Sequence, residues 1–192
     1  MNLLTVTNLS AGYAGKQVIK DISFFVAPKT IVGILGANGC GKTTLIKAIA
    51  NLLPHTGSCQ LDDTYLENAS PRQLALLCGY IPQKSGISID LTLLDVVLMG
   101  FNPKLSLLQS PTEQMKKEAF DALCSVGLGS RKDDNFQQLS EGQKQLCLLA
   151  RTFVLKRRLL LLDEPESALD FRLRYETVSY THLRAHETPE HL

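Results

Sequence analysis

The sequence predicts an α/β domain with buried parallel strands, and two observations support this fold class. Segments rich in β-forming residues alternate along the chain with segments of helical periodicity. One segment, residues 159–162, is a run of leucines, which is typical of a parallel strand covered on both faces. With 192 residues, 44% of them hydrophobic, the chain is long enough to bury such a core.

The strands are predicted where β-rich pieces are bounded by glycine or proline, at residues 3–8, 18–26, 30–35, 58–62 and 78–82. A glycine-rich turn follows the third of these pieces. Residues 42–51 then have the periodicity of a helix. The order around the turn is therefore strand, glycine loop, helix.

Helix starts are predicted from capping patterns. A hydroxyl residue followed three positions later by an acidic or amide side chain marks four of them, at Ser70, Thr92, Ser110 and Ser140. Pro71 and Pro111 would then occupy the first helical position of two helices. We expect the helix after Ser110 to cover about residues 111–126 and the helix after Ser140 to cover about residues 141–155.

The composition excludes several classes of protein. Lys and Arg number 20 against 19 Asp and Glu, and the only basic run is residues 156–158, so we expect no nucleic-acid binding. The 5 cysteines form no CxxC pair, which fits reduced thiols better than disulfides or a zinc site. Since the chain has neither a signal peptide nor a long apolar run, we expect a cytoplasmic protein.

Residues 36–43, GANGCGKT, match the phosphate-binding pattern GxxxxGK[ST]. Its small residues let backbone N–H groups wrap a phosphate chain, with help from the positive end of the following helix. Lys42 is predicted to reach the β- and γ-phosphates, and the Thr43 hydroxyl to ligate Mg²⁺. The alternative is an ordinary glycine turn before a helix. The predicted nucleotide contacts in this loop are Gly36, Asn38, Gly39, Cys40, Gly41, Lys42, Thr43 and Thr44.

A second pattern, LLLLDEP, begins at residue 159. An apolar strand that ends in a carboxylate delivers Asp163 to the carboxyl edge of a parallel sheet, where the phosphates also lie. Asp163 is therefore predicted to hold Mg²⁺, and Glu164 to orient the attacking water as a base. The alternative is a surface turn in which both acids are merely solvated.

Five motifs occur in the order found in the ATP-binding subunits of ABC transporters, and residues 2–176 resemble that family. The motifs are the loop 36–43, Gln83, and the segments 139–143, 159–164 and 167–170. The resemblance implies an α/β P-loop NTPase (RecA-like) core with an N-terminal antiparallel β part and an inserted helical subdomain at about residues 85–130. It also implies ATP and Mg²⁺ as cofactors and ATP hydrolysis that powers transport.

The same resemblance implies partners and further site residues. A homodimer, or a paired cassette, would form in the ATP state and dock on integral membrane permease subunits at the inner face of the cell membrane. Tyr13 would stack on adenine, and Gln83 would contact Mg²⁺ and the attacking water. Ser140, Gly142 and Gln143 would contact the γ-phosphate held by a second subunit, and Asp170 would lie at the dimer interface.

Simpler structural roles remain open for three of these residues. Tyr13 could be an exposed turn aromatic and Gln83 a polar strand end. Ser140 with Gln143 forms a capping box by spacing alone, although a capped helix start is also an anion site.

The cargo and the activity also have alternatives. The segment VVLMGFNPKLSLLQSP at residues 96–111 resembles importers of iron-siderophore, haem or cobalamin type, with other metal chelates also open. A rival reading is a soluble, non-transport ABC ATPase that acts on ribosomes or DNA. The other rival is a nucleotide-binding fragment without efficient turnover.

The resemblance ends at about residue 176. Residues 177–192 resemble translated sequencing-adapter DNA, so we expect a non-native tail on a cassette that is incomplete at its C-terminus. Such a cassette would leave part of the sheet uncovered, which favours aggregation and slow ATP turnover. His182 and His186 have the i, i+4 spacing of helical metal ligands, but we expect no metal at the tail histidines.

Glu141 stands where the signature of the family usually has a glycine. A carboxylate would repel the γ-phosphate, so we expect its side chain to point away from the nucleotide. Replacing Glu141 with glycine should therefore leave the ATPase rate nearly unchanged in a steady-state phosphate-release assay. A gain of more than about tenfold, equal to about 1.4 kcal/mol, would show that the carboxylate faces the nucleotide.

Overall fold

The computed structural model describes residues 2–83, 86–106 and 108–164, which form two compact units. The first unit contains residues 2–83 and 155–164, and the second contains the described residues between 86 and 154. Within these ranges every helix is too short or too polar to span a lipid bilayer.

An antiparallel sheet opens the first unit. Its strands are β1 (Leu4–Tyr13), β2 (Lys16–Val26), β3 (His55–Leu61) and β4 (Thr64–Tyr65), in the order β2-β1-β3-β4. The turn between β1 and β2 has positive φ at Ala14 (47°) and Gly15 (79°), as a two-residue hairpin turn of type I′ requires. This turn leaves Tyr13 at the tip of the hairpin, opposite Lys16.

The core of the first unit lies between this sheet and helix α1 (Lys42–Ile49). At the start of β1 and the end of β3, alternate residues point inward, as the two-residue period of a strand dictates. They meet Ala48 and Ile49 of α1 in one hydrophobic cluster. The largest fully buried side chains from the sheet are Leu4, Val6, Leu9 and Leu61. The packing fixes α1, and with it the glycine loop that precedes the helix.

A parallel pair of strands completes the first unit. Helix α2 (Pro71–Leu77) leads directly into β5 (Cys78–Ile81), and β5 pairs with β6 (Leu159–Leu162) in parallel, from Cys78 opposite Leu159 to Ile81 opposite Leu162. The pairing brings two chain segments about 80 residues apart in sequence to the same sheet edge. The carboxyl ends of both strands therefore meet at one place.

The second unit is helical. Its helices are α3 (Leu93–Leu98), α4 (Glu113–Ser125) and α5 (Glu141–Phe153), and each packs against the other two. The helices enclose a core whose largest fully buried side chains are Leu93, Val96, Phe101, Leu123, Phe136 and Leu148. The described part of this unit extends to residue 154, because α5 packs on α3 and α4.

Three of the four predicted capping boxes are present. Ser70, Thr92 and Ser140 each accept a hydrogen bond from the third helical N–H, and the side chain at that position bonds back. The start predicted at Ser110 is wrong by two residues. Thr112 is the cap of α4, because its hydroxyl accepts from the Met115 N–H at 3.2 Å and leaves Pro111 outside the helix.

The strand predicted at residues 30–35 is also absent from the described structure. This segment has no regular secondary structure, and Ile31 and Leu35 are 80% and 95% exposed. Its apolar sequence fits a strand, but a strand also needs a hydrogen-bonded neighbour, and none of the described strands pairs with it.

Gly57 in β3 is a position where only glycine fits. Its φ is +87°, and an added Cβ would collide with the carbonyl oxygens of Thr7 and Asn8 on β1. We expect Gly57→Ala to lower the free energy of unfolding by at least about 2 kcal/mol in urea titrations. Gly86→Ala is the control, since its Cβ would meet nothing within 4 Å. Equal losses in both variants would contradict this account of β3.

Candidate nucleotide-binding site

The glycine loop forms a closed turn before α1. The Lys42 ammonium donates to the carbonyl oxygens of Gly36 at 2.9 Å and Ala37 at 3.0 Å, and the Cys40 N–H donates to Ala37 O at 3.2 Å. The Lys42 ammonium thus contacts the start of the loop that the GxxxxGK[ST] pattern predicts to bind phosphate. The loop residues 36–40 are exposed, so a ligand can reach them.

Gly41 has to be glycine for two reasons. Its φ is +103°, which side-chain-bearing residues rarely adopt, and an added Cβ would lie 2.8 Å from Ile19 Cγ2. Gly41 is also the N-cap of α1, and it supplies no side-chain hydrogen bond to the first turn. Since that turn holds no acidic residue either, its N–H groups suit an anion.

Asp163 meets the loop from the opposite side. It directly follows β6, and its backbone N–H donates to Ile81 O on β5 at 3.0 Å. The Thr43 hydroxyl donates to Asp163 Oδ1 at 2.7 Å, although the two residues are 120 positions apart. Asp163 is only 4% exposed, so water is partly excluded from this contact. A charge-assisted hydrogen bond is strong in such surroundings.

Tyr80 is a site residue that the sequence analysis missed. Its hydroxyl donates to Asp163 Oδ2 at 3.3 Å, so each carboxylate oxygen has its own hydroxyl donor. Burial, the Asp163 charge and this hydrogen bond raise the pKa of Tyr80 to about 12, with a smaller contribution from Tyr13. Tyr80 therefore remains a protonated donor at neutral pH. The only sequence signal for this role was that Tyr80 lies on a predicted strand, three residues before Gln83.

Glu164 and Gln83 form a second pair at the same edge. Gln83 Nε2 donates to Glu164 Oε2 at 2.5 Å. Glu164 has a φ of +47°, a conformation that costs a non-glycine residue about 1 to 3 kcal/mol and is concentrated at functional sites. Both side chains are exposed, which leaves them accessible to substrate and water.

Two further predicted nucleotide contacts belong to the first unit. Tyr13 is 45% exposed at its hairpin tip, so its ring is available for stacking. Thr44, by contrast, is only 5% exposed inside the first turn of α1. Its side chain is packed into the protein, so any contact with nucleotide would come from its backbone.

The remaining predicted contacts start α5 in the second unit. Ser140 Oγ accepts from the Gln143 N–H at 3.3 Å, and the Gln143 amide oxygen accepts from the Ser140 N–H at 3.1 Å. Gly142 is exposed between them, and the Glu141 carboxylate accepts from Lys144 at 2.8 Å. The capping role of this segment is thus present, and the Glu141 charge is paired along the helix.

Several predictions fall outside the described residues. They concern Ser167, Asp170 and the tail residues 177–192 with their histidines. Among the described residues, no group of three or more His, Cys, Asp or Glu side chains could hold a metal ion by itself. A cation at Thr43 and Asp163 would therefore need ligands from a bound phosphate and water as well.

The glycine loop, the helix behind it and the strand-end carboxylate define a P-loop nucleotide-binding domain. Comparisons with known proteins give the family. Residues 19–167 match the family described as ABC transporter. A protein of Helicobacter pylori named "Probable iron chelatin transport ATP-binding protein" is 40% identical over 175 residues, covering 88% of this chain and 68% of its own length.

Two further relatives agree. The "Hemin import ATP-binding protein HmuV" of Bordetella parapertussis is 36% identical over 193 residues, covering 96% of this chain and 72% of its own. A solved ATP-binding subunit of an ABC transporter superposes with a TM-score of 0.77 at 25% identity, covering 95% of this chain and 75% of that one. The chain belongs to the ATP-binding proteins of ABC transporters.

The family confirms several predictions. The fold class, the ATP-binding function and the ATPase class are those of this family. The roles assigned to individual site residues stay predictions, although the structure now gives their geometry. It joins Thr43 to Asp163 and Gln83 to Glu164.

The contact between Thr43 and Asp163 can be tested without nucleotide. Thr43→Val leaves the buried Asp163 Oδ1 without this donor, so we expect the free energy of unfolding to fall by about 1 to 3 kcal/mol. Thr43→Ser keeps the hydroxyl and should lose less than about 1 kcal/mol. Urea unfolding of both variants measures the difference, and equal stability would argue that the bond is not formed.

Proposed function

We propose that this chain hydrolyses ATP to power the import of a metal chelate, of the iron-siderophore, haem or cobalamin kind. The observation that carries the ATPase part is the Thr43 to Asp163 contact, which places the phosphate loop beside a strand-end carboxylate. The cargo is supported by the names of the relatives, one of which is a probable iron chelatin transport protein and another a hemin import protein.

Phosphate binding is the first task of the chain. The Lys42 ammonium already bonds to the carbonyls of Gly36 and Ala37, so it is held at the loop where phosphates would enter. On binding, it exchanges these neutral acceptors for phosphate oxygens, which make stronger charge-assisted bonds. The N–H groups at the start of α1 add further donors. Tyr13 stacks on the adenine.

The residues at the strand ends fit magnesium. The Thr43 hydroxyl, the Asp163 carboxylate and the Gln83 amide oxygen are hard oxygen ligands, which Mg²⁺ prefers. The cation offsets negative charge on the transferring phosphoryl group when it is bound. Asp163 is buried and hydrogen-bonded on both oxygens, so this chain holds the ligand in one orientation before any cation arrives.

Glu164 acts on the attacking water. Its carboxylate is exposed at the edge where the γ-phosphate would lie, and Gln83 holds one of its oxygens. The other oxygen can accept a proton from water, which is the geometry a general base requires. Gln83 thereby both positions the base and stands next to the cation site.

The complete site uses two copies of the cassette. Ser140, Gly142 and Gln143 lie at the start of α5, where backbone N–H groups and the helix dipole favour an anion. In a homodimer, or a paired cassette, these residues contact the γ-phosphate held on the other copy. The dimer docks on permease subunits at the cytoplasmic face of the membrane, and no nucleic acid takes part.

A trapped dimer tests hydrolysis directly. Glu164→Gln removes the base while keeping shape, so the ATPase rate should fall by at least about 100-fold and an ATP-bound dimer should accumulate. Light scattering after size-exclusion chromatography, with and without ATP, measures the dimer. Glu113→Gln, the same change at the exposed start of α4, is the control.

The outcomes separate the candidate functions. A dimer that appears only in Glu164→Gln with ATP supports a hydrolysing cassette. If Glu164→Gln and the parent chain bind ATP equally, with no turnover in either, the chain is a nucleotide-binding module and the proposal fails.

A further inference from the structure

The carboxylate of Asp163 is held from two sides. Thr43 contacts Oδ1 at 2.7 Å, and Tyr80, on the neighbouring strand, contacts Oδ2 at 3.3 Å. We propose that Tyr80 is a positioning residue that fixes the rotation of the Asp163 carboxylate and so sets the Mg²⁺ affinity of the nucleotide site. This inference rests on the proposed function, since it concerns the cation that accompanies ATP.

A carboxylate held at one oxygen is poorly oriented. The final side-chain torsion of aspartate has a broad, roughly two-fold energy profile, so a bond to Thr43 alone leaves rotation about the Cβ–Cγ bond. A second donor at the other oxygen removes that freedom. Partners of this kind behind a metal ligand typically contribute tenfold to 100-fold in metal affinity.

Tyr80 is well placed for this role because its strand is paired with β6 along its whole length. It lies in β5 between the buried residues Gly79 and Ile81, and its register partner on β6 is Leu161, two residues before Asp163. The Asp163 N–H also donates to Ile81 O, so backbone and side chain of Asp163 are both tied to β5. The hydroxyl position is therefore set by the parallel pairing.

The phenol of Tyr80 donates to Asp163 as a neutral group. A neutral donor opposite a carboxylate adds no positive charge that would compete with a cation. A lysine or arginine at this place would neutralise Asp163 and weaken its attraction for Mg²⁺. A tyrosine orients the Asp163 carboxylate and leaves its negative charge available to the cation.

The end of β5 serves both acids. Tyr80 contacts Asp163, and Gln83, three residues later, contacts Glu164. One short strand and the residues after it thus arrange the predicted metal ligand and the predicted base. Because Tyr80 contacts only the predicted metal ligand of the two acids, loss of its hydroxyl should weaken cation binding. The binding of metal-free nucleotide should remain intact.

Tyr80→Phe tests this, because it removes only the hydroxyl. The affinity for a fluorescent ATP analogue is measured in excess Mg²⁺ and in EDTA, and Mg²⁺ is then titrated at fixed nucleotide. We expect about tenfold weaker Mg²⁺ binding, at the lower end of the range because 3.3 Å is long for this bond, with unchanged affinity in EDTA. Tyr65→Phe, at an exposed tyrosine of β4, is the matched control.

A second variant keeps the test valid if Tyr80→Phe does not fold. Tyr80→Leu also lacks the donor and should give the same selective loss, and urea unfolding shows whether each variant is folded. Unchanged Mg²⁺ affinity in a folded variant overturns the inference. Equal weakening with Mg²⁺ and in EDTA also overturns it, since it indicates general damage to the loop. If the parent chain itself binds ATP equally well with and without Mg²⁺, the proposed function fails instead.

Discussion

The hydrogen bond from Thr43 to Asp163 is the contact on which the site depends. It joins the first turn of α1 to the end of β6, two elements 120 residues apart in sequence. Neither element could make a site alone, because the loop supplies N–H groups and a lysine while the strand supplies the acid. The bond is short and Asp163 is buried, so the two halves are held in register. The parallel pairing of β5 and β6 then adds Tyr80, Gln83 and Glu164 at the same edge.

The positive and negative groups of this site lie on different elements. Lys42 is held on loop carbonyls, and the acids lie on the strand side, where they bond to hydroxyl and amide donors. Within the described part of the chain, Lys42 forms no ion pair with Asp163 or Glu164. The positive group therefore remains available to an anionic ligand. Such an arrangement is prepared to receive phosphates and a cation together.

Local patterns were predictable from the sequence, and contacts across the sheet were not. The capping boxes at Ser70, Thr92 and Ser140 depend on residues three positions apart, so spacing alone predicts them. The glycine loop is local in the same sense. The Tyr80 contact depends on which way a side chain points from β5 and on the register with β6, and neither can be read from one strand.

Two errors have the same physical origin. The segment 30–35 has the composition of a strand, but strand formation also requires a neighbour to accept and donate hydrogen bonds. Ser110 has the spacing of a cap, but Thr112 offers a hydroxyl nearer to the start of α4 and makes the bond. In both cases the local sequence favoured the predicted structure. Whether that structure formed depended on which groups were available for hydrogen bonding.

The central claim is that Thr43 and Asp163 form the cation end of an ATP site. The most direct measurement is a crystal structure of the chain with ATP and Mg²⁺. The account predicts phosphates inside the loop 36–43, with a cation about 2.0 to 2.1 Å from Thr43 Oγ1 and Asp163 bound to it directly or through one water. Nucleotide bound away from this loop, or phosphates in the loop with the cation away from both residues, would contradict it.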